Sequence, residues 1–290
     1  MSKTNTLIER NSVKVTGGFG NQLFQYFFAR SLSFSLKKNY FLDCSDYTHV
    51  YKLHKLNLKQ LKLKLLIDYS NKESKILKYI YFILKKNYVE KSFCFFDKQL
   101  LFKKNIKNYF GYWQSYKYFE KNWKIFKNDI NLKKINPKKK KNLELIKEKN
   151  SISVHIRRAD YIKNEKAKKF HGSPNLDYYF KSIRFFEKKT FAPTFFFFSD
   201  DINWVKKKFS SLRKNNFFYI ENFRNELQFP MDDLILMSSC KHNIIANSTF
   251  SWWGAWLNNY KKKIVIAPKN WTVDIKSANT DLIPKNWKIF

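Results

Sequence analysis

A chain of 290 residues, 44% hydrophobic and 19% aromatic, can bury one large core or two of medium size, which excludes an intrinsically disordered protein. Its formal net charge of +34 ordinarily points to nucleic acid, an anionic membrane surface or an acidic substrate. No stretch reaches the roughly 18 apolar residues needed to span a bilayer, which excludes a transmembrane helix.

The source of the charge is legible in its chemistry. Among the 57 basic residues only Arg10, Arg30, Arg157, Arg158, Arg184, Arg213 and Arg224 are arginine, and the rest are lysines scattered among 30 Phe. Compositional bias spread over solvated faces is the favoured reading of this charge, and attraction of the Lys-rich segments to an anionic membrane surface is the alternative. A nucleic-acid-binding protein would instead concentrate basic and aromatic side chains in one module, and no such module is present. Cys44, Cys94 and Cys240 lack CxxC spacing, so neither a disulfide framework nor a zinc site is expected. With no signal-peptide pattern at the start, the expectation is a cytoplasmic protein, soluble or peripheral at the inner membrane face.

In chain order, residues 12–16 read as a strand, Gly17-Gly18-Phe19-Gly20 as a tight turn, and residues 21–38 as a helix that Asn21 can cap. Phe41 to Asp43 reads as a second strand. Residues 47–108 are rich in Lys, Leu and Tyr without clear stops, and within them Ile76 to Leu84 suits a buried helix. The polar run from Lys127 to Asn150 precedes an alternating strand at 151–156 and places a domain boundary near residue 148, giving domains 1–148 and 149–290. The apolar run at 194–199 reads as a buried parallel strand with Asp200 and Asp201 at its carboxyl edge. A helix at 203–211, a strand at 217–220, a helix at 232–240 and strands at 243–246 and 264–267 follow. Strands alternating with helices predict an α/β fold with parallel sheets.

Three constellations could carry chemistry. Arg157 and Arg158 stand side by side at a strand end in a chain that otherwise writes Lys, which suits the planar fork that grips phosphate; an ion pair with Asp160, Asp200 or Asp201 is the plainer alternative. Ser199-Asp200-Asp201 lies at the sheet edge where ligands bind, and Ser199 or Asp200 could simply cap the next helix. Adjacent aspartates need not converge on a cation, so no metal is indicated. Third, Asn247, Ser248, Thr249 and Ser251 can cap a helix whose N–H groups would face a phosphate, and Trp252, Trp253 and Trp256 suit packing. As a dinucleotide fingerprint the glycine turn is weak, because Leu23 stands where the third glycine belongs, and Asp43 is discounted as its acidic partner. P-loop, nucleophile-elbow and His-Glu-x-x-His patterns are absent.

In order along the chain, Gly17–Gln25, Gly111-Tyr112-Trp113-Gln114, His155–Tyr161, Phe198–Asp201, Asp233 with Met237–Cys240, Ala246–Gly254 and Asp281–Pro284 make the sequence resemble the bacterial α-1,2-fucosyltransferases of glycosyltransferase family 11. The resemblance runs from about residue 13 to the end and is weakest over 47–108. It implies a GT-B architecture, two Rossmann-like domains facing a central cleft, with an acceptor-side first domain and GDP-fucose held mainly by the second. It implies an inverting transfer of L-fucose from GDP-β-L-fucose to O2 of a terminal galactose of a surface glycan, with no cofactor. By the same analogy Arg157 neutralises the leaving diphosphate, and His155 and Arg158 fix phosphate and nucleotide. Asp200, Asp201, Asn247, Ser248, Thr249 and Ser251 complete the donor pocket, and Gly18, Gly20 and Asn21 reach it from the first domain. Asp160 is the first candidate for the general base and Glu165 the alternative. A fucosyltransferase of another linkage is the nearest rival.

Overall fold

The computed structural model describes residues 11–49, 54–69, 84, 86–130, 135–158, 169, 172, 175–212, 215–221 and 230–290. The chain divides into two compact units, Met1–Asn131 and Leu132–Phe290, each built on its own parallel sheet. Among the described residues no helix is long and apolar enough to cross a membrane; the expected helix at 76–84 falls almost wholly outside them.

In the first unit, strands β1 (Asn11–Lys14), β2 (Tyr40–Asp43), β3 (Ile67–Asp68), β4 (Asn87–Val89) and β5 (Asn108–Phe110) line up in the order β3-β2-β1-β5-β4, every pairing parallel. Helix α1 (Phe19–Leu36) follows the glycine turn. It is apolar nearly all round because it is covered on several sides. Val13 and Leu42 of the sheet are buried in the same core, Phe28 stacks on Trp113 at 4.1 Å, and Phe27 meets Phe119 at 5.6 Å. The helix starts at Phe19, two residues earlier than the sequence suggests, because Phe19 is itself buried. Gly18 therefore occupies the N-cap, and Asn21 lies inside the first turn and cannot cap it.

The second unit holds β6 (Asn150–Ile156), β7 (Pro193–Ser199), β8 (Phe217–Tyr219), β9 (His242–Ile244), β10 (Val265–Ala267) and β11 (Lys288–Ile289) in the order β11-β10-β9-β6-β7-β8, again all parallel. Counted within the unit this is the doubly wound order 3-2-1-4-5-6 of Rossmann domains. The run of four phenylalanines in β7 is buried on both faces, as a central parallel strand requires. Phe195 and Phe197 join Ile152 and Val154 on one side; Phe196 and Phe198 join Leu236 and Met237 on the other.

The unit boundary falls between residues 131 and 132, not near 148. Residues 137–148 read as a linker because of their lysines, but Lys140–Glu148 forms helix α2, whose Ile146 is buried against Phe196 and Leu236 of the second unit. The lysines are the solvent face of an amphipathic helix. Just before it, Lys139 is buried with its ammonium 2.9 Å from the Asp233 carboxylate, and the Asn136 N–H donates to Asp232 at 3.0 Å. These bonds fasten the segment to helix α5 (Met231–Ser239); helices α3 (Leu176–Lys189), α4 (Ile202–Phe209) and α6 (Thr249–Trp256) complete the layers.

Candidate active site

In an open parallel sheet, ligands bind beyond the carboxyl ends of the strands where the strand order reverses. In the second unit that point lies between β6 and β9. Arg157 and Arg158 follow β6 directly, and Asn247 to Ser251 follow β9. The parallel pairing of Ile156 with Ser199 also sets the arginines beside Asp200 and Asp201.

These four side chains are interlocked. Asp200 takes Arg157 Nη1 on Oδ2 at 3.3 Å and the backbone N–H of Arg158 on Oδ1 at 3.0 Å, so one carboxylate fixes the position of both arginines. Asp201 Oδ2 lies 3.6 Å from Arg158 Nε, while its Oδ1 accepts from the Trp204 N–H at 3.2 Å. The cap of α4 is therefore Asp201, not Ser199 or Asp200; the Ser199 hydroxyl instead accepts from the Asp201 N–H at 3.0 Å. The indole of Trp204 carries the Arg158 guanidinium 4.1 Å above its centroid, a cation–π contact that holds the fork flat. Trp204 is a site residue that sequence reading missed. The sequence shows it only as a tryptophan three residues after Asp201, and its stacking on Arg158 is visible in the structure alone.

His155 is the residue of β6 that lies two before Arg157. It is buried, its carbonyl accepts from the Tyr179 hydroxyl at 3.2 Å, and its ring lies edge-on to Phe250 of α6 at 5.9 Å. Burial first, and then the charge of Arg157, push its pKa down to about 3, so it is neutral at pH 7. An unfolded histidine titrates near 6.5. As pH falls through the window from about 6.5 to about 3, the unfolded chain gains a proton that the folded chain refuses, and stability is lost. The slope that His155 adds is about 1.4 kcal/mol per pH unit inside that window. His155→Gln should flatten the acid limb of unfolding free energy measured in urea between pH 7 and 4; an unchanged limb would refute the assignment.

Beyond β9, the polar residues divide by role. The Asn247 amide donates to the carbonyls of Gly172 at 3.2 Å and Trp271 at 3.3 Å, bracing the backbone. Ser248 occupies the N-cap of α6 without a side-chain cap bond, Thr249 is the first helical residue, and the Ser251 hydroxyl turns back onto the Ser248 carbonyl at 3.1 Å. The expected side-chain capping by Ser248 and Ser251 is not made. The N–H groups of this first turn are consequently uncapped by the N-cap side chain and carry the positive end of the helix dipole. Trp252 and Trp253 are fully buried and Trp256 stacks on Trp252 at 5.2 Å, the packing role expected of them. Asp160 and Glu165 lie outside the described residues.

In the first unit the order reverses between β1 and β5, and both sequence motifs of that unit meet there. Gly17 takes φ +81, open to glycine without strain. Three amides of α1 staple the turn. Gln25 accepts from the Thr16 N–H and donates to the Gly111 carbonyl, both at 3.0 Å. Gln22 donates to Gly17 and Lys55 and accepts from the Asn57 N–H. The Asn21 Oδ1 accepts from Gln114 Nε2 at 3.0 Å. Gly18 lies beside the His54 ring and Gly20 is buried in the first helical turn. Asp43 accepts from the Ser45 N–H and hydroxyl and pairs with Lys14.

Among curated proteins, the O-antigen biosynthesis glycosyltransferase WbnK of Escherichia coli is 34% identical over 89% of this chain and 93% of its own length. An α-1,2-colitosyltransferase of Escherichia coli is 35% identical over 94% and 96%. The mouse galactoside 2-α-L-fucosyltransferase Sec1 is 29% identical over 37% of this chain and 28% of its own. Among solved structures, a NodZ α-1,6-fucosyltransferase soaked with GDP-fucose superimposes with a TM-score of 0.48 at 14% identity, covering 84% of this chain and 91% of that one. The protein is a glycosyltransferase of two parallel α/β units. It belongs to glycosyl transferase family 11, whose profile matches residues 1–290.

Proposed function

We propose that the protein transfers L-fucose from GDP-β-L-fucose to O2 of a terminal galactose, with inversion and without a metal ion. The observation that carries this reading is the clamped arginine pair at the switch point of the second sheet, where helix α6 also starts, with Ser248 at its N-cap making no side-chain cap bond. Both features are suited to a diphosphate, which accumulates negative charge as it leaves. Asp200 and Asp201 are already paired with these arginines, which leaves charge neutralisation to the guanidinium groups instead of a cation. The galactose O2 attacks the anomeric carbon opposite the phosphate, the bond from that carbon to the phosphate oxygen breaks with its electron pair going to GDP, and a carboxylate, Asp160 or Glu165, takes the hydroxyl proton. One displacement turns the β-linked donor into an α product.

The name of the 35%-identical relative favours a second reading, in which a colitosyl donor replaces the fucosyl one at the same site. The natural acceptor in either case is a surface-polysaccharide precursor, a reading supported by the name of the O-antigen biosynthesis relative.

The test is GDP release from GDP-fucose with lactose in EDTA, followed by linkage analysis of the product. Acceptor-dependent release that survives EDTA and yields an α-1,2 product is the expected result. Binding of GDP with no transfer to lactose or a panel of galactosides would overturn the acceptor assignment, transfer only from the colitosyl donor would select the second reading, and failure to bind GDP would overturn both.

A further inference from the structure

The two arginines that follow β6 are held by different means. Arg157 is held by charge, its Nη1 lying 3.3 Å from the Asp200 carboxylate. Arg158 is held by a ring. Its guanidinium carbon stands 4.1 Å above the centroid of Trp204, while its buried Nε, 3.6 Å from Asp201 Oδ2, makes no hydrogen bond. Among the described residues neither Nη of Arg158 has an acceptor, and the only hydrogen bond that the residue donates runs from its backbone N–H to Asp200.

A carboxylate and an aromatic ring immobilise a guanidinium with opposite consequences. The carboxylate takes N–H groups in the plane of the fork and neutralises its charge; the ring takes only the face, so the charge and the in-plane donors stay available. A fork in that condition at the ligand edge of the second sheet suits two oxygens of a bound phosphate. Trp204 is seated in turn by Asp201, whose Oδ1 accepts from the Trp204 N–H at 3.2 Å as the cap of α4. The other oxygen of the same carboxylate lies beside Arg158 Nε, so Asp201 sets the ring and the guanidinium together. The indole also packs on the core that contains Val205 and Phe209, which fixes its plane.

We propose that Trp204 is a positioning residue for the donor: its ring holds Arg158 with both Nη groups free, so that Arg158 grips the diphosphate of the bound sugar nucleotide before reaction. Arg157 then takes up the charge that develops as the diphosphate leaves. The inference rests on the glycosyltransferase reading above. It goes beyond that reading in assigning donor affinity to an aromatic residue outside the motifs, and in dividing the two arginines between ground state and transition state.

Calorimetric titration with GDP, read by displacement where binding is weak, tests it in Trp204→Leu, Trp204→Phe, Arg158→Ala and the Trp204→Leu/Arg158→Ala double variant, alongside initial rates against GDP-fucose. Trp204→Leu should raise the GDP dissociation constant and the donor KM about tenfold and lower kcat at saturating donor less than about threefold. Trp204→Phe, which keeps a weaker ring, should raise them about twofold. In the Arg158→Ala background the Trp204→Leu change should move the GDP dissociation constant less than about twofold, because no guanidinium is left to position. Should Trp204→Leu fail to fold, Trp204→Phe in the two backgrounds reads the same coupling. A folded Trp204→Leu protein that binds GDP as wild type does, a kcat loss larger than the KM rise, or an equal loss of affinity in both backgrounds overturns the positioning role, while wild-type GDP binding leaves the glycosyltransferase reading standing. A wild-type protein with no affinity for GDP overturns both.

Discussion

Arg157→Ala should lower kcat for acceptor-dependent GDP release by about 10²–10³-fold, the loss typical of removing one preorganised donor to a developing anion. Arg157 is the one guanidinium of the pair with an Nη group on Asp200, and it leaves a strand whose register with β7 is fixed over seven residues. Its position is set before any ligand arrives, which is what makes such a group effective on a leaving diphosphate. Arg157→Lys should recover little of the loss, because an ammonium keeps the charge but not the planar fork that satisfies Asp200 and a phosphate oxygen together. Asp200→Asn should fall between, since the amide keeps one acceptor for the Arg158 N–H but gives up the ion pair. The measurement is initial rate against donor concentration, alongside GDP affinity by calorimetry and an unfolding midpoint to confirm the fold. A rate within tenfold of wild type in a folded Arg157→Ala protein would remove this arginine from the chemistry.

The two longest strands of the second unit were legible in the sequence, because each runs seven residues, whereas the two-residue β11 was not foreseen. The runs at 151–156 and 194–199 have no other stable use than as central parallel strands, and the structure has them at Asn150–Ile156 and Pro193–Ser199. The arginine and aspartate motifs were legible for the same reason: each ends one of those strands, so finding the strands placed the motifs at one edge. Which aspartate caps α4 was not legible, since Ser199, Asp200 and Asp201 are all good caps and only the backbone geometry chooses.

The first unit was harder to read, and the reason is physical. Strands of two or three residues such as Ile67–Asp68 and Asn87–Val89 carry too few side chains to show a period, and their pairing with β2 and β5 is long-range. The boundary near 148 was misplaced because a lysine run looks like a linker until its Leu143, Leu145 and Ile146 are seen to share one buried face. Gln22 and Gln25 belong to a motif that could be quoted, but their roles could not, since a buried glutamine in an apolar helix declares only that something polar lies opposite.

A buried ion cluster at the middle of the same helix holds that helix in place. Asp129, with 2% of its side chain exposed, accepts from the Tyr26 hydroxyl at 2.6 Å and from Arg30 Nε at 2.7 Å, while Tyr26 accepts from the Lys64 N–H. Burial, then the bond to Asp129, holds the Tyr26 hydroxyl protonated well above its ordinary range. Asp129→Ala leaves a guanidinium and a phenol in α1 without their acceptor. Deleting one partner of a buried pair typically costs about 3–5 kcal/mol, a large fraction of the roughly 5–15 kcal/mol that holds a domain folded. Urea unfolding should show that loss, and a change below about 1 kcal/mol would mean that water replaces the carboxylate easily. Because Tyr26 and Arg30 lie on the helix that carries Asn21, Gln22 and Gln25, transferase activity at temperatures near the lowered midpoint should fall with the fold, while at low temperature a residual folded fraction keeps its KM for donor and acceptor unchanged. That separation of stability from KM is what distinguishes a residue that holds the turn in place from one that touches the sugar.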